Sequence, residues 1–186
     1  MIYKAVRHFS LLILLACLTL QGCSTGQSRV WLDETASFTD YKVLEVRRFF
    51  NATGEGLKED IPVALTTLLT EQLEERGLQL TRAWQANTGV LIVQSSIVLY
   101  QGCRIIKGTA STGLATPVAV NKGTTTGQST CAVQTLLIDK TTGNTVAKIF
   151  TRKVVGACFT DQFKNQWLFK ILAEDVAKKI TKIMKI

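Results

Sequence analysis

Nucleophiles and the bases that activate them are scarce in this sequence. It has one histidine, His8, and five cysteines, Cys17, Cys23, Cys103, Cys131 and Cys158. His8 lies in an N-terminal stretch laid out like a cleaved leader, so the mature chain is expected to carry no imidazole. That removes Ser-His and Cys-His pairs in their usual form, and zinc sites of the His-containing types. No C-x-x-C spacing groups the cysteines for a metal. Glu55, Glu59 and Asp60 are close in "GEGLKED", where capping and solvation are the ordinary roles of carboxylates. The stretch "GTTTGQST" at 123–130 imitates a phosphate loop, but its glycine spacing is one short. Gln128 also stands where a lysine would have to reach phosphate. The expectation is a protein that is not an enzyme, with no cofactor and no metal.

The remaining reactive residue with a clear context is Cys23. Lys4 and Arg7 precede an apolar run at 11–20, about half the roughly twenty residues that a membrane-spanning helix needs. The run ends in Leu20-Gln21-Gly22-Cys23, which resembles the bacterial lipobox. That resemblance implies a signal peptide at 1–22, acylation of the Cys23 thiol and a mature N-terminus there. Two or more acyl chains anchor stably because each buried methylene contributes about 0.8 kcal/mol. Ser24 is not the aspartate associated with inner-membrane retention. The expected address is the periplasmic face of the outer membrane, with Cys23 as anchor.

Cleavage leaves 164 residues, enough for one domain with a real core. The side-chain balance then falls from +8 to +6, since Lys4 and Arg7 are lost. Its basic residues are scattered except near the C-terminus, unlike the clustered Lys and Arg of nucleic-acid binders. No nucleic-acid partner is expected; anionic head groups or an acidic envelope protein suit the charge better. Cys103, Cys131 and Cys158 remain in an oxidising compartment, an odd number that allows one disulfide and one free thiol.

Around these residues the hydrophobic pattern sets out a scaffold. Residues 23–40 are rich in Ser, Thr, Gly and Gln and read as a lipidated tether, leaving 41–186 as a single domain. "YKVLEVRRFF" at 41–50 predicts a first strand with Leu44, Val46 and Phe50 on one face. Asp60 as N-cap, Pro62 in the first turn and Gly77 as the stop bound a helix whose buried stripe is Ile61, Leu65, Leu68, Leu69 and Leu73. A short strand at 78–81 precedes a central one at 90–100, where β-branched residues occupy both faces. Segments 130–139 and 145–155 flank "KTTGN" as a hairpin. Its register puts Cys131 opposite about Lys153, which disfavours pairing with Cys158 across the hairpin and makes Cys103 the better partner for Cys131 or Cys158. Residues 161–186 predict a second helix, with Phe169, Leu172, Ala173, Val176, Ile180 and Ile183 buried and a lysine face solvated. The fold class is α+β, a mostly antiparallel sheet of about four to five strands covered by two main helices.

Between the central strand and the hairpin lies a Gly- and Thr-rich segment at 102–128, punctuated by Gly102, Gly108, Gly113, Pro117, Gly123 and Gly127. Long loops in compact domains are commonly functional. Its apolar stretches are too short for membrane-spanning β-strands, so the expectation is a docking loop for an envelope protein or for an identical subunit.

The strand with "FFNATGEG", the helix "DIPVALTTLLTEQLEERG" and "LIDKTTGNTVAKI" together resemble an uncharacterised domain-of-unknown-function group of bacterial outer-membrane lipoproteins. In that group a glycine-rich loop precedes a D-x-x-T-G hairpin, here Asp139 to Gly143. The resemblance extends from Tyr41 to about Lys182. More distantly, the element order is similar to the periplasmic domain of the curli-secretion lipoprotein and to the N-terminal domain of the Tol system's translocation protein. The resemblance implies protein contact and assembly, and carries over no catalytic residue. The expected role is an envelope interaction or assembly module; the alternative is a carrier of a small lipid or other apolar ligand in a cavity.

Overall fold

The computed structural model describes residues 24–81, 88–106, 126–156 and 161–185. The strands are β1 (Ser24–Leu32), β2 (Val43–Val46), β3 (Phe50–Asn51), β4 (Gln79–Leu80), β5 (Val90–Ile106), β6 (Thr126–Asp139) and β7 (Thr145–Gly156). Two helices, α1 (Asp60–Glu75) and α2 (Asp161–Ile183), pack on one face of the sheet they form. The strand order is β1-β7-β6-β5-β2-β4, with β3 also beside β5. The long ladders of β1, β7, β6 and β5 are antiparallel, whereas β2, β3 and β4 join in parallel. The fold is therefore α+β with two helices and a mostly antiparallel sheet. The described residues form seven strands rather than four or five, because the polar edge strand β1 and the two-residue strand β3 escape a hydrophobic pattern, whereas the short β4 falls where 78–81 is expected to be extended.

The helices form where their spacing requires. Helix α1 starts at Asp60 with Glu59, not Asp60, at the cap position, one residue earlier than expected. At its other end Gly77 takes a φ of 78°, and its N–H donates to the Glu74 carbonyl while that of Leu78 donates to Leu73. Those two bonds satisfy carbonyls that the helix end would leave orphaned. Ile61, Leu65, Leu69 and Leu73 are buried, and Leu68 is half-buried at the stripe's edge. The expected stripe of α2 is buried along its full length, from Phe169 to Ile183. Asp175 pairs with Lys179 at 2.8 Å and also with Lys153 of β7 at 3.3 Å, which ties helix to sheet.

Leucines from both layers fill the space between them. Leu44, Leu91, Ile97, Leu137 and Ile149 of the sheet meet Leu65, Leu69, Leu73, Leu168, Leu172 and Ile180, all without solvent exposure. Each such side chain contributes about 1.5–3 kcal/mol by leaving water. Hydroxyls buried on the same face are satisfied in pairs, Ser95 with Thr135 at 2.8 Å and Thr151 with Ser28 at 3.2 Å.

Two expectations about the N-terminal half need correction. Residues 24–32 are not a tether; they are the edge strand β1, in register with β7 from Ser24 opposite Val155 to Leu32 opposite Ala147. Nor is 41–50 one strand. Between β2 and β3 the chain takes four steps, from Val46 to Phe50, while β5 takes three, from Val93 to Ser96. One additional residue reverses the side-chain phase. Phe49 turns into the core and Phe50 is left 64% exposed.

Candidate interaction site

The docking-loop expectation falls on a place where three chain segments meet. Gly102 is in β5, and Gly127 in β6 pairs with Ile105, so both belong to strands and not to a loop. Gly108, Gly113, Pro117 and Gly123 lie outside the described residues. The stems Ile106 and Thr126 are paired at the end of the sheet where β1 begins. Ser24 stands level with Val155, which pairs with Ser129, so the β5–β6 ribbon runs three residues past Ser24. At about 3.3 Å per residue that is about 10 Å. Helix α2 begins five residues after Gly156, which ends β7 at this end of the sheet. Cys23 is outside the described residues but directly precedes Ser24.

The expected cysteine chemistry divides across this region. Cys131 is a free thiol with no solvent exposure, and burial pushes its pKa up to about 12. It faces Lys153 in the register, as expected. A free Cys131 is compatible with a Cys103 to Cys158 pair, but the Cys103 side chain and Cys158 lie outside the described residues. The carboxylates near α1 are separate and exposed, with Glu59 in an ion pair with Arg48 at 2.9 Å. Among the described residues no cluster suits a metal ion, and no helix is long and apolar enough to cross a membrane.

Of the sheet's two faces, the helices cover only one. On the other, β1 and β7 place Gln27 beside Arg152, Arg29 beside Phe150 and Trp31 beside Lys148. Trp31 is half exposed, and the Lys148 ammonium sits 5.2 Å from its ring centroid. Arg29, Lys148 and Arg152 are exposed, and among the described residues none of them has a carboxylate partner. Half-buried Phe150 and Leu136 lie between these cations and the sheet centre.

Further across that face lies a buried acid, Glu45. It is 3% exposed, accepts a hydrogen bond from Arg47 at 3.1 Å and forms an ion pair with Lys140 at 3.0 Å. Burial would raise its pKa, but the two cations outweigh it and hold the carboxyl below its ordinary range. Asp139, at the turn into β7, behaves alike. Against burial, the Thr142 N–H, the Tyr41 hydroxyl and Thr141 stabilise its ionised form. Burial and that same hydrogen bond push Tyr41 up to about 12. These groups fix the end of the sheet opposite Ser24.

Acids concentrate instead on α1. Glu71, Glu74 and Glu75 are exposed at helical spacing, and among the described residues none forms an ion pair. An open groove between α1 and α2 lies beside them, lined by Ala64, Leu68, Glu71, Trp167 and Lys170 among others. Trp167 is 44% exposed there. The cationic face was not legible as a cluster in the sequence, because its members are divided between β1 and β7, which are far apart along the chain.

The sequence matches no known family model and no curated protein. Solved structures do share the fold. The PelC dodecamer from Paraburkholderia phytofirmans is similar with a TM-score of 0.50 and 12% identity, covering 82% of this chain and 98% of that one. A minor lipoprotein from Acinetobacter baumannii has a TM-score of 0.41 and 18% identity, over 76% and 91% of the two chains. A Xanthomonas campestris protein of a domain-of-unknown-function family has a TM-score of 0.47 and 11% identity, over 82% and 88%. At 12% identity the likeness to PelC is one of fold alone, and the structural neighbours of this chain include named lipoproteins and a domain of unknown function.

Proposed function

We propose that this protein is a lipoprotein anchored through Cys23 to the periplasmic face of the outer membrane, where it acts as an assembly module that contacts copies of itself or another envelope protein. The observation that carries the reading is the position of β1. No residue separates Cys23 from the strand, so an acylated Cys23 holds the Ser24 end of the sheet against the membrane. The stems of the 107–125 segment project from that same end, and the open face of the sheet then looks sideways along the membrane. Such a face suits lateral contact with neighbours. The fold of the PelC dodecamer supports the same role, since a similar domain there is part of a dodecamer. The carrier alternative needs a cavity between sheet and helices, a volume that leucines and isoleucines occupy.

Metabolic labelling with a palmitate analogue, followed by membrane fractionation and crosslinking in cells, tests this. Label in the outer-membrane fraction, its loss in Cys23→Ser, and crosslinked species above monomer size are expected. An unlabelled, soluble, monomeric mature protein would overturn the reading.

A further inference from the structure

Two oppositely charged surfaces stand on opposite sides of this two-layer fold. One is the open face of β1 and β7, with Arg29, Lys148 and Arg152 around the exposed Trp31. The other is the helix layer, where Glu71 lines the groove that holds Trp167 and exposed Glu74 and Glu75 follow it on α1. Within one chain these charges are left without ion-pair partners among the described residues, and the layers between them prevent their meeting. Unpaired charge of opposite sign on two separate patches is the arrangement that steers one subunit onto the next.

We infer that the β1–β7 face of one copy docks on the α1 side of the helix layer of a second copy, with Arg29 and Lys148 opposite Glu71 and Glu75 and Trp31 entering the α1–α2 groove. Lys170 lies on the α2 wall of that groove, so the incoming cations are directed to the α1 wall. The inference rests on the assembly reading above and specifies its interface. Because the two patches differ and look in opposite directions, the contact is head-to-tail and closes into a ring or continues as a filament. An anchor at the Ser24 end keeps every copy the same way up, which is compatible with a ring around the membrane normal. The area is also adequate. β1 spans nine residues, and four strands from β1 to β5 offer a strip of about 30 by 19 Å. Upright side chains raise that projected area of about 600 Å² towards the roughly 800 Å² per partner of a stable interface.

Reciprocal charge reversal in the full-length lipoprotein, extracted in detergent and sized by sedimentation, tests the inference. One variant carries Arg29→Glu with Lys148→Glu, the other Glu71→Lys with Glu75→Lys. All four positions are exposed, and circular dichroism checks that both variants fold. Wild type should assemble, each variant alone should be monomeric with self-affinity reduced at least about a hundredfold, and an equimolar mixture should reassemble. The mixture recovers because the native sheet face of one variant meets the native helix patch of the other, and the two reversed patches meet with their signs exchanged. Wild type that assembles together with both variants would overturn this interface and leave the assembly reading standing. Monomeric wild type, in detergent and after crosslinking in membranes, would overturn both. So would a monomer that binds phosphatidylglycerol vesicles through Arg29 and Lys148, because the sheet face would then serve lipid.

Discussion

Replacing Lys140 by alanine removes one of two cations from the buried Glu45 carboxylate. Lys140 Nζ is 3.0 Å from Glu45 Oε2, and the two side chains are 14% and 4% exposed. The remaining partner, Arg47, is half exposed and 3.1 Å away, so the carboxylate keeps part of its compensation. Removing one partner of a buried pair costs about 3–5 kcal/mol when nothing remains, and Arg47 reduces this to about 2–3 kcal/mol. A domain of this size should then lose roughly 5–10 °C in Tm. The pH dependence has a fixed sign. A carboxyl held below its ordinary value of 4.5 stabilises the fold above that pH, and the stabilisation is lost as pH falls through its folded value. Urea denaturation of wild type and Lys140→Ala at pH 7 and near pH 4 should therefore show a cost that shrinks on acidification. Glu45→Gln with Lys140→Met, which removes both charges, should recover most of the loss. A cost below about 0.5 kcal/mol at pH 7, the range of an exposed pair, would refute the reasoning. So would a cost unchanged between the two pH values.

Three other perturbations probe the scaffold. Gly89 has a φ of 67°, an added Cβ would stand 3.0 Å from the Asp40 carbonyl, and its own carbonyl accepts from Lys42 and Val43. Gly89→Ala should cost about 1–2 kcal/mol in chemical denaturation. Leu69 is fully buried between α1 and the sheet, and Leu69→Ala should cost about 2–5 kcal/mol by the same measurement. Cys131 has its thiol pKa raised to about 12, so iodoacetamide should modify it only under unfolding conditions, as read by peptide mass spectrometry. Modification at the native rate of an exposed cysteine would contradict its burial.

Both helices were legible because a 3.6-residue period survives in their sequences, and their buried faces are the ones that period picks out. The β6–β7 hairpin was legible from its turn, where Gly143 takes a φ of 74° and Asp139 accepts from the Thr141 and Thr142 amides. Strand β1 was not, since an edge strand takes its hydrogen bonds from β7 and needs no alternating apolar side chains. Its "STGQSR" therefore reads as a tether. The reversal at Phe49 and Phe50 was hidden for another reason. It arises from one additional residue relative to β5, and register is a property of two strands together. The cationic face likewise appears only when strands pair: Ser28 and Phe150 are 122 residues apart in the chain and joined by a 2.9 Å hydrogen bond.

Native mass spectrometry of the full-length protein extracted from membranes tests the central claim most directly, because one spectrum reports both acylation and stoichiometry. The account predicts subunits that begin at Cys23, carry the mass of the attached acyl groups and leave the detergent as an oligomer. A single unmodified chain at monomer mass would contradict it.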